Sequence, residues 1–155
     1  MSAAGYTVSS GAATALSAAT ARTIINVIPA TGRLLSLVEF AVSFDGVTAS
    51  AVPVLIELCV STQATTGTST AGTLTQLRGR PTTVGATAGI NYTAEPTVLT
   101  TVKQWLVTPY GGTLVVQAPF GREPEADNTV NKGVALRLTA PAAVNARAYI
   151  EFEQE

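Results

Sequence analysis

The sequence predicts an all-β fold: a single-domain antiparallel β-sandwich of about eight strands behind a flexible N-terminal arm. Three observations lead there. From residue 22 onward apolar side chains recur with a period of two, clusters of Gly, Pro, Asp and Asn interrupt the chain at short intervals, and no stretch shows helical spacing. The uneven connections, some tight and some long, favour a jelly-roll-like or other Greek-key sandwich over a simple meander.

Residues 1–20 read as the arm and residues 21–155 as the sandwich domain. The arm is almost all Ala, Ser, Thr and Gly, with Tyr6, Val8 and Leu16 as its large apolar side chains. Such a segment buries too little surface to offset its ordering entropy alone. It is expected either as a disordered tail or as an arm that orders on a neighbouring subunit.

In "RLLSLVEFAVSF" Leu34, Val38, Phe40, Val42 and Phe44 share one face, and Asp45-Gly46 follows as a turn. "VPVLIELCV" places Val52, Val54, Ile56, Leu58 and Val60 on one side, so the two runs are expected as a hairpin or as neighbouring strands. Residues 61–73, "STQATTGTSTAGT", have no periodicity and read as a long loop. "GINYT" forms a short strand whose Asn91-Tyr92-Thr93 matches a glycosylation sequon, a match read as chance. "TVLTTVKQWLVTP" alternates with both faces partly apolar; Trp105 is expected at an edge or interface, or in the core. "LVVQA", "KGVALRLTA" with Val134, Leu136 and Leu138 inward, and "ARAYIEFEQE" with Ala146, Ala148, Ile150 and Phe152 inward complete the strands.

Charge is the anomaly. Charged residues are 12% of the 155, against roughly 25% in a typical soluble domain. Thr, Ser, Ala and Gly take their place, and surfaces depleted of Lys, Glu and Asp are those that bind other proteins. An obligate homo-oligomer, or a protein docked on something larger, is the expectation. The net charge of −1 speaks against binding nucleic acid through phosphates; Arg78 and Arg80 in "LRGRPT" read as a solvated loop. Cys59 lies in a strand-like run as an inert buried thiol. With neither a signal-like N-terminus nor a long apolar run, no membrane partner is expected, and assembly in a reducing cytoplasm is.

The chain has no histidine, which removes the commonest general base and transition-metal ligand. The charges it has concentrate in "QAPFGREPEADN", residues 117–128. Glu123, Glu125, Asp127 and Asn128 lack the glycine and distal glutamate of a calcium loop. Glu123 and Glu125 flank Pro124 and are expected to point into solvent rather than across a cleft, as a two-carboxylate hydrolase would need. No enzyme activity, cofactor or metal is expected. The candidate interface residues are Arg122, Glu123, Glu125, Trp105 and Tyr110. Arg122 suits a forked pairing with a carboxylate of a neighbouring subunit, the alternative being a plain solvated turn.

In texture and element order, "LLSLVEFAVSFDGVTASAVPVLIEL", "NYTAEPT", "QWLVTPYGGTLVVQAPFGREPE" and "LRLTAPAAVNARAYIEFE" resemble bacteriophage capsid decoration (cement) proteins and related small virion structural proteins. The resemblance covers roughly residues 20–153. It implies a jelly-roll-like subunit, typically trimeric, that docks on the outer face of an expanded head, clamps neighbouring units of the major capsid protein and uses an N-terminal arm in docking. It implies no catalytic residues. A receptor- or glycan-binding fibre or tail-tip domain is the alternative.

Overall fold

A computed structural model describes residues 3–45, 52–62, 66–127 and 132–155. The described strands are β1 (Ala4–Ser9), β2 (Thr14–Leu16), β3 (Ala21–Ile28), β4 (Leu34–Asp45), β5 (Val54–Thr62), β6 (Thr68–Ala71), β7 (Leu74–Arg78), β8 (Thr87–Ala94), β9 (Leu99–Val107), β10 (Thr113–Gln117), β11 (Glu125–Asp127), β12 (Lys132–Thr139) and β13 (Val144–Gln154). They form two antiparallel sheets. One runs β10-β4-β13-β1-β7, with β11 beside β10 on β4 and β2 beside β1 on β13; the other runs β6-β8-β3-β12-β5-β9. The chain crosses repeatedly between them, and their facing sides bury Leu37, Phe40, Ile150 and Phe152 against Ile25, Ile56, Leu58, Leu136 and Leu138. Each such side chain contributes about 1.5–3 kcal/mol by leaving water.

Period-two patterning places the inner faces of β12 and β13 as expected: Val134, Leu136 and Leu138 are fully buried, as are Ile150 and Phe152. β4 departs from it. Opposite β13, Glu39 pairs with Glu151 but the next pair is Leu37 with Phe152, so Val38 is an extra residue in the ladder. A bulge reverses the side to which the following residues point. Leu35 and Leu37 therefore face the core together with Phe40 and Val42, while Leu34 and Val38 are only half-buried. The uninterrupted face Leu34-Val38-Phe40 is corrected accordingly.

β4 and β5 do not pair as a hairpin. They belong to opposite sheets and meet across the core; Gly46 of the expected turn lies outside the described residues. The loop expected at 61–73 also needs correction. Thr62 still belongs to β5, and Thr68–Ala71 is an exposed edge strand paired to β8; residues 63–65 lie outside the described residues. "TSTA" makes its ladder through backbone groups alone, so it leaves no apolar alternation to read.

The flexible arm is the largest correction. β1 lies inside its sheet, between β13 and β7, and β2 continues along β13 after an excursion at residues 10–13. The few large side chains suffice because they alternate inward: Tyr6, Val8 and Leu16 are all buried. The Tyr6 ring stacks on Phe152 at 5.7 Å, and its hydroxyl hydrogen-bonds the Thr82 hydroxyl at 2.5 Å. Asn91, in a left-handed backbone conformation at φ 52°, donates its amide to the Ser10 carbonyl at 3.2 Å and accepts from the Thr14 hydroxyl. The amide of the sequon is thus spent in holding the N-terminal strands. The sandwich takes in residues 4–16, and the division between arm and domain at residue 20 does not hold.

Removing residues 2–18 is therefore expected to unfold the protein, because it takes a central strand from a sheet. Tyr6→Ala should cost about 3–5 kcal/mol in urea unfolding. A Tyr6→Ala loss below about 1 kcal/mol would show that β1 is a loose arm after all.

Candidate functional site: the open edge of the sandwich

One side of the sandwich is built by β9, the last strand of its sheet, and by β10 and β11, which line the free side of β4. β10 and β11 are one strand interrupted. Gln117 pairs with Glu39 and Glu125 with Ser36, so residues 118–124 leave the ladder where β4 carries its bulge. The excursion is closed by backbone bonds: Ala118 N–H donates to Val38 O at 2.8 Å, and Leu37 N–H to Pro124 O at 2.9 Å. Its tip is a four-residue turn, Pro119-Phe120-Gly121-Arg122, in which Arg122 N–H donates to Pro119 O at 2.9 Å. Gly121 has φ 76°, the positive φ that a type II turn requires of its third residue.

This turn puts Phe120 entirely in solvent, at 100% exposure. It is not isolated. Among the described residues eight large apolar side chains are exposed, and six of them, Val98, Val102, Leu106, Tyr110, Val115 and Phe120, come from the single stretch 98–120. Scattered exposed apolar residues need no explanation, but a concentration along one edge marks a contact surface. Val98 adds backbone strain. Its φ of 62° is the left-handed region, which costs a side chain with a branched Cβ roughly 1–2 kcal/mol, and Thr62 N–H holds it there by donating to Val98 O at 3.2 Å.

Trp105 is half-buried and packs edge-on against Phe40, ring centres 5.3 Å apart. It lines a narrow groove between the sheets together with Lys103, Gln117, Pro119 and Pro124. Trp105 thus lies on the edge strand β9 and packs partly against the core. Of the excursion, Ala118, Pro119 and Pro124 line this groove, with Arg122 and Glu123 between the two prolines in the chain, while Tyr110 lies beyond the opposite end of β10. Glu125 is an exposed residue of β11, whereas Glu123 is half-buried in the excursion, so the two acids sit on different backbone elements. Arg122 is exposed and forms no ion pair among the described residues. Asn128 lies outside those residues, and among them no group of three His, Cys, Asp or Glu could hold a metal ion.

The outer face of β5 and β12 holds a group of side chains that alternation along single strands does not reveal. Arg137 and Glu57 are direct cross-strand partners, and Arg137 Nε donates to Glu57 Oε2 at 2.9 Å and Nη2 to Oε1 at 3.2 Å. Thr101 donates to Glu57 Oε1 at 2.8 Å. The guanidinium bond holds the Glu57 carboxyl below its usual range, against burial, which pushes it up. Beside them Cys59 is fully buried, and burial pushes its thiol pKa up. The lone cysteine is thus held in its protonated, unreactive form. Only the register of β5 against β12 could have disclosed this pair.

The outer face of the other sheet has a hollow of about 260 Å³ lined by Ala41, Ser43, Thr113, Val115, Arg147 and Tyr149. The Tyr149 hydroxyl donates to Glu39 Oε1 at 2.5 Å. That bond to a carboxylate pushes the phenol up to about 12. Arg147 donates to Gly11 O at 3.2 Å and faces Asp45 at 3.5 Å.

No protein-family model, curated protein or solved structure matches the chain. No helix of the described residues is long and apolar enough to cross a membrane.

Glu57→Gln should lower stability by about 3 kcal/mol, the lower end for breaking a buried pair, because the side chains of Arg137 and Glu57 are only 24% and 11% exposed. Glu57 is depressed in the folded state, so its contribution is present above its ordinary value of 4.5 and is lost as pH falls through the lower folded value. Urea unfolding at several pH values checks both effects. The variant should lose less stability than the wild type below pH 4.5; identical acid slopes would contradict the assignment.

Proposed function

We propose that the chain is a non-enzymatic structural protein of a bacteriophage virion, a jelly-roll-like subunit that binds the outer surface of the capsid as a homo-oligomer, a trimer, and stabilises it. Its partners are further copies of itself and the major capsid protein; it is assembled in the host cytoplasm and works without a cofactor. The observation that carries this reading is the open edge: six exposed large apolar side chains within residues 98–120, on a chain in which charged residues are only 12%. A surface of that kind gains by being covered and has few charges to desolvate. The strained Val98 and the rigid Pro119–Arg122 turn fix its shape in advance, which lowers the entropy lost on docking.

The mechanism is linkage. A subunit that binds only the assembled, mature lattice raises the free energy of taking that lattice apart, by about 2.7 kcal/mol per site at a hundredfold excess over Kd. The second reading, a receptor- or glycan-binding domain of a fibre or tail tip, is favoured by the exposed rings of Tyr110 and Phe120, which could stack on sugars.

Sedimentation with heads of the encoding phage separates the two. The purified chain should pellet with expanded heads and stay in solution with precursor shells, and Leu106→Asp on β9 should abolish pelleting. Failure to pellet with either particle, together with binding to host cells, would replace the capsid reading by the fibre reading.

A further inference from the structure

Two features of the seven-stranded sheet are unused by the fold and fit each other. The first is Phe120, fully exposed on a turn that the Arg122 N–H bond to Pro119 O closes, beside Arg122, which forms no ion pair among the described residues. Because a closed turn fixes the backbone that carries the ring, burying it in a partner costs only side-chain freedom and brings a large apolar gain. The second is the hollow of about 260 Å³ on the outer face of β4, β10 and β13. An apolar cavity of about 150 Å³ already accepts benzene, so a phenyl ring has room here. The Arg147 guanidinium and the Tyr149 ring line it, which suits an aromatic guest through cation–π and ring-edge contacts.

Charge matches as well. Arg122, next to the knob, is an exposed cation with no ion pair among the described residues. Around the hollow, Asp45 stands against Arg147 at 3.5 Å, and Glu39 accepts from Tyr149 at 2.5 Å. Two carboxylates thus lie one contact away from the lining side chains. The knob follows the Gln117 end of β10 and the hollow lies towards its Thr113 end. At roughly 3.4 Å per residue, Gln117 lies about 7 Å along the strand from Val115 and about 14 Å from Thr113, the two β10 residues that line the hollow. One molecule therefore offers the knob and the hole on different residues, the condition for a head-to-tail contact, which closes into a ring where the rotation between copies allows it.

We propose that the chain self-associates head to tail, with Phe120 of one copy seated in the β4-β10-β13 hollow of the next and Arg122 paired with the carboxylates at its rim. This rests on the homo-oligomer reading above and names the contact that builds it. β9 and the groove beside it are left free for the larger partner.

The test is light scattering and analytical ultracentrifugation at micromolar to hundred-micromolar chain. Phe120→Ala removes the knob, and Val115→Lys covers the hollow and repels Arg122. Both sites are exposed, so circular dichroism and melting should match the wild type; if Val115→Lys fails to fold, Thr113→Lys, also exposed on β10, replaces it. Each variant alone should run as a monomer, with the association constant lowered at least about 30-fold, as for loss of a contact hot spot. Mixed one to one they should form a heterodimer and nothing larger, because only one knob and one hole remain to meet. A monomeric wild type, a Phe120→Ala protein that stays oligomeric, or a mixture that stays monomeric would each overturn the contact. A wild-type oligomer dissolved by Phe120→Ala that ignores expanded heads would sink the capsid reading and leave this contact standing; a monomeric wild type that pellets with heads would do the reverse.

Discussion

The ladder between β4 and β13 is the constraint on which the rest of the sandwich depends. Its ten registered pairs run from Asn145 opposite Asp45 to Gln154 opposite Leu35. These are the two longest strands, and each carries an interrupted strand on its other side: β10 and β11 on β4, β1 and β2 on β13. The extra residue at Val38 turns Leu35 and Leu37 into the core and falls where residues 118–124 leave the sheet. One irregularity thus serves packing and display together. It keeps the inner face apolar and marks the place at which Phe120 and Arg122 project.

The distribution of charge follows from the same arrangement. The outer face of the seven-stranded sheet carries Glu39, Glu151, Glu153, Arg78 and Arg147, several of them paired. The outer face of the six-stranded sheet has the largely buried Glu57–Arg137 pair, with the Glu95 carboxylate bonded to Thr23, the cross-strand neighbour of Arg137. Between the two faces runs the open edge of β9, β10 and the excursion. Lys103 and the irregular pairing at Val102 interrupt β9, features that discourage unselective strand addition. Contact through its side chains is then favoured over indefinite growth through its backbone.

Much of the fold was legible in the sequence, and for a physical reason. Strands with one buried face record that burial as alternation, so β12 and β13 could be placed inward residue by residue. What was not legible is what alternation does not encode. β6 pairs through its backbone with no side chain buried, so "TSTA" read as loop. β1 has too few large residues to look ordered, but β13 and β7 supply the missing half of its ladder on either side. Val38 broke the assigned face because an extra residue leaves no trace in composition. In the candidate edge, Trp105, Tyr110, Arg122, Glu123 and Glu125 were visible as residue types out of place. Phe120 carries no such signal, since nothing in "APFGRE" except the Pro-x-Gly spacing of a turn says that its ring stands in water. The Glu57–Arg137 pair needed a cross-strand register.

Hydrogen exchange on the free oligomer and on the chain bound to expanded heads bears most directly on the central claim, that the β9 side of the open edge is the surface on which the protein works. Binding should slow exchange at the edge amides of β9, and leave β1 and β13 unchanged. Protection confined to β13, β1 and β7, or none at all in a complex that still sediments, would contradict it.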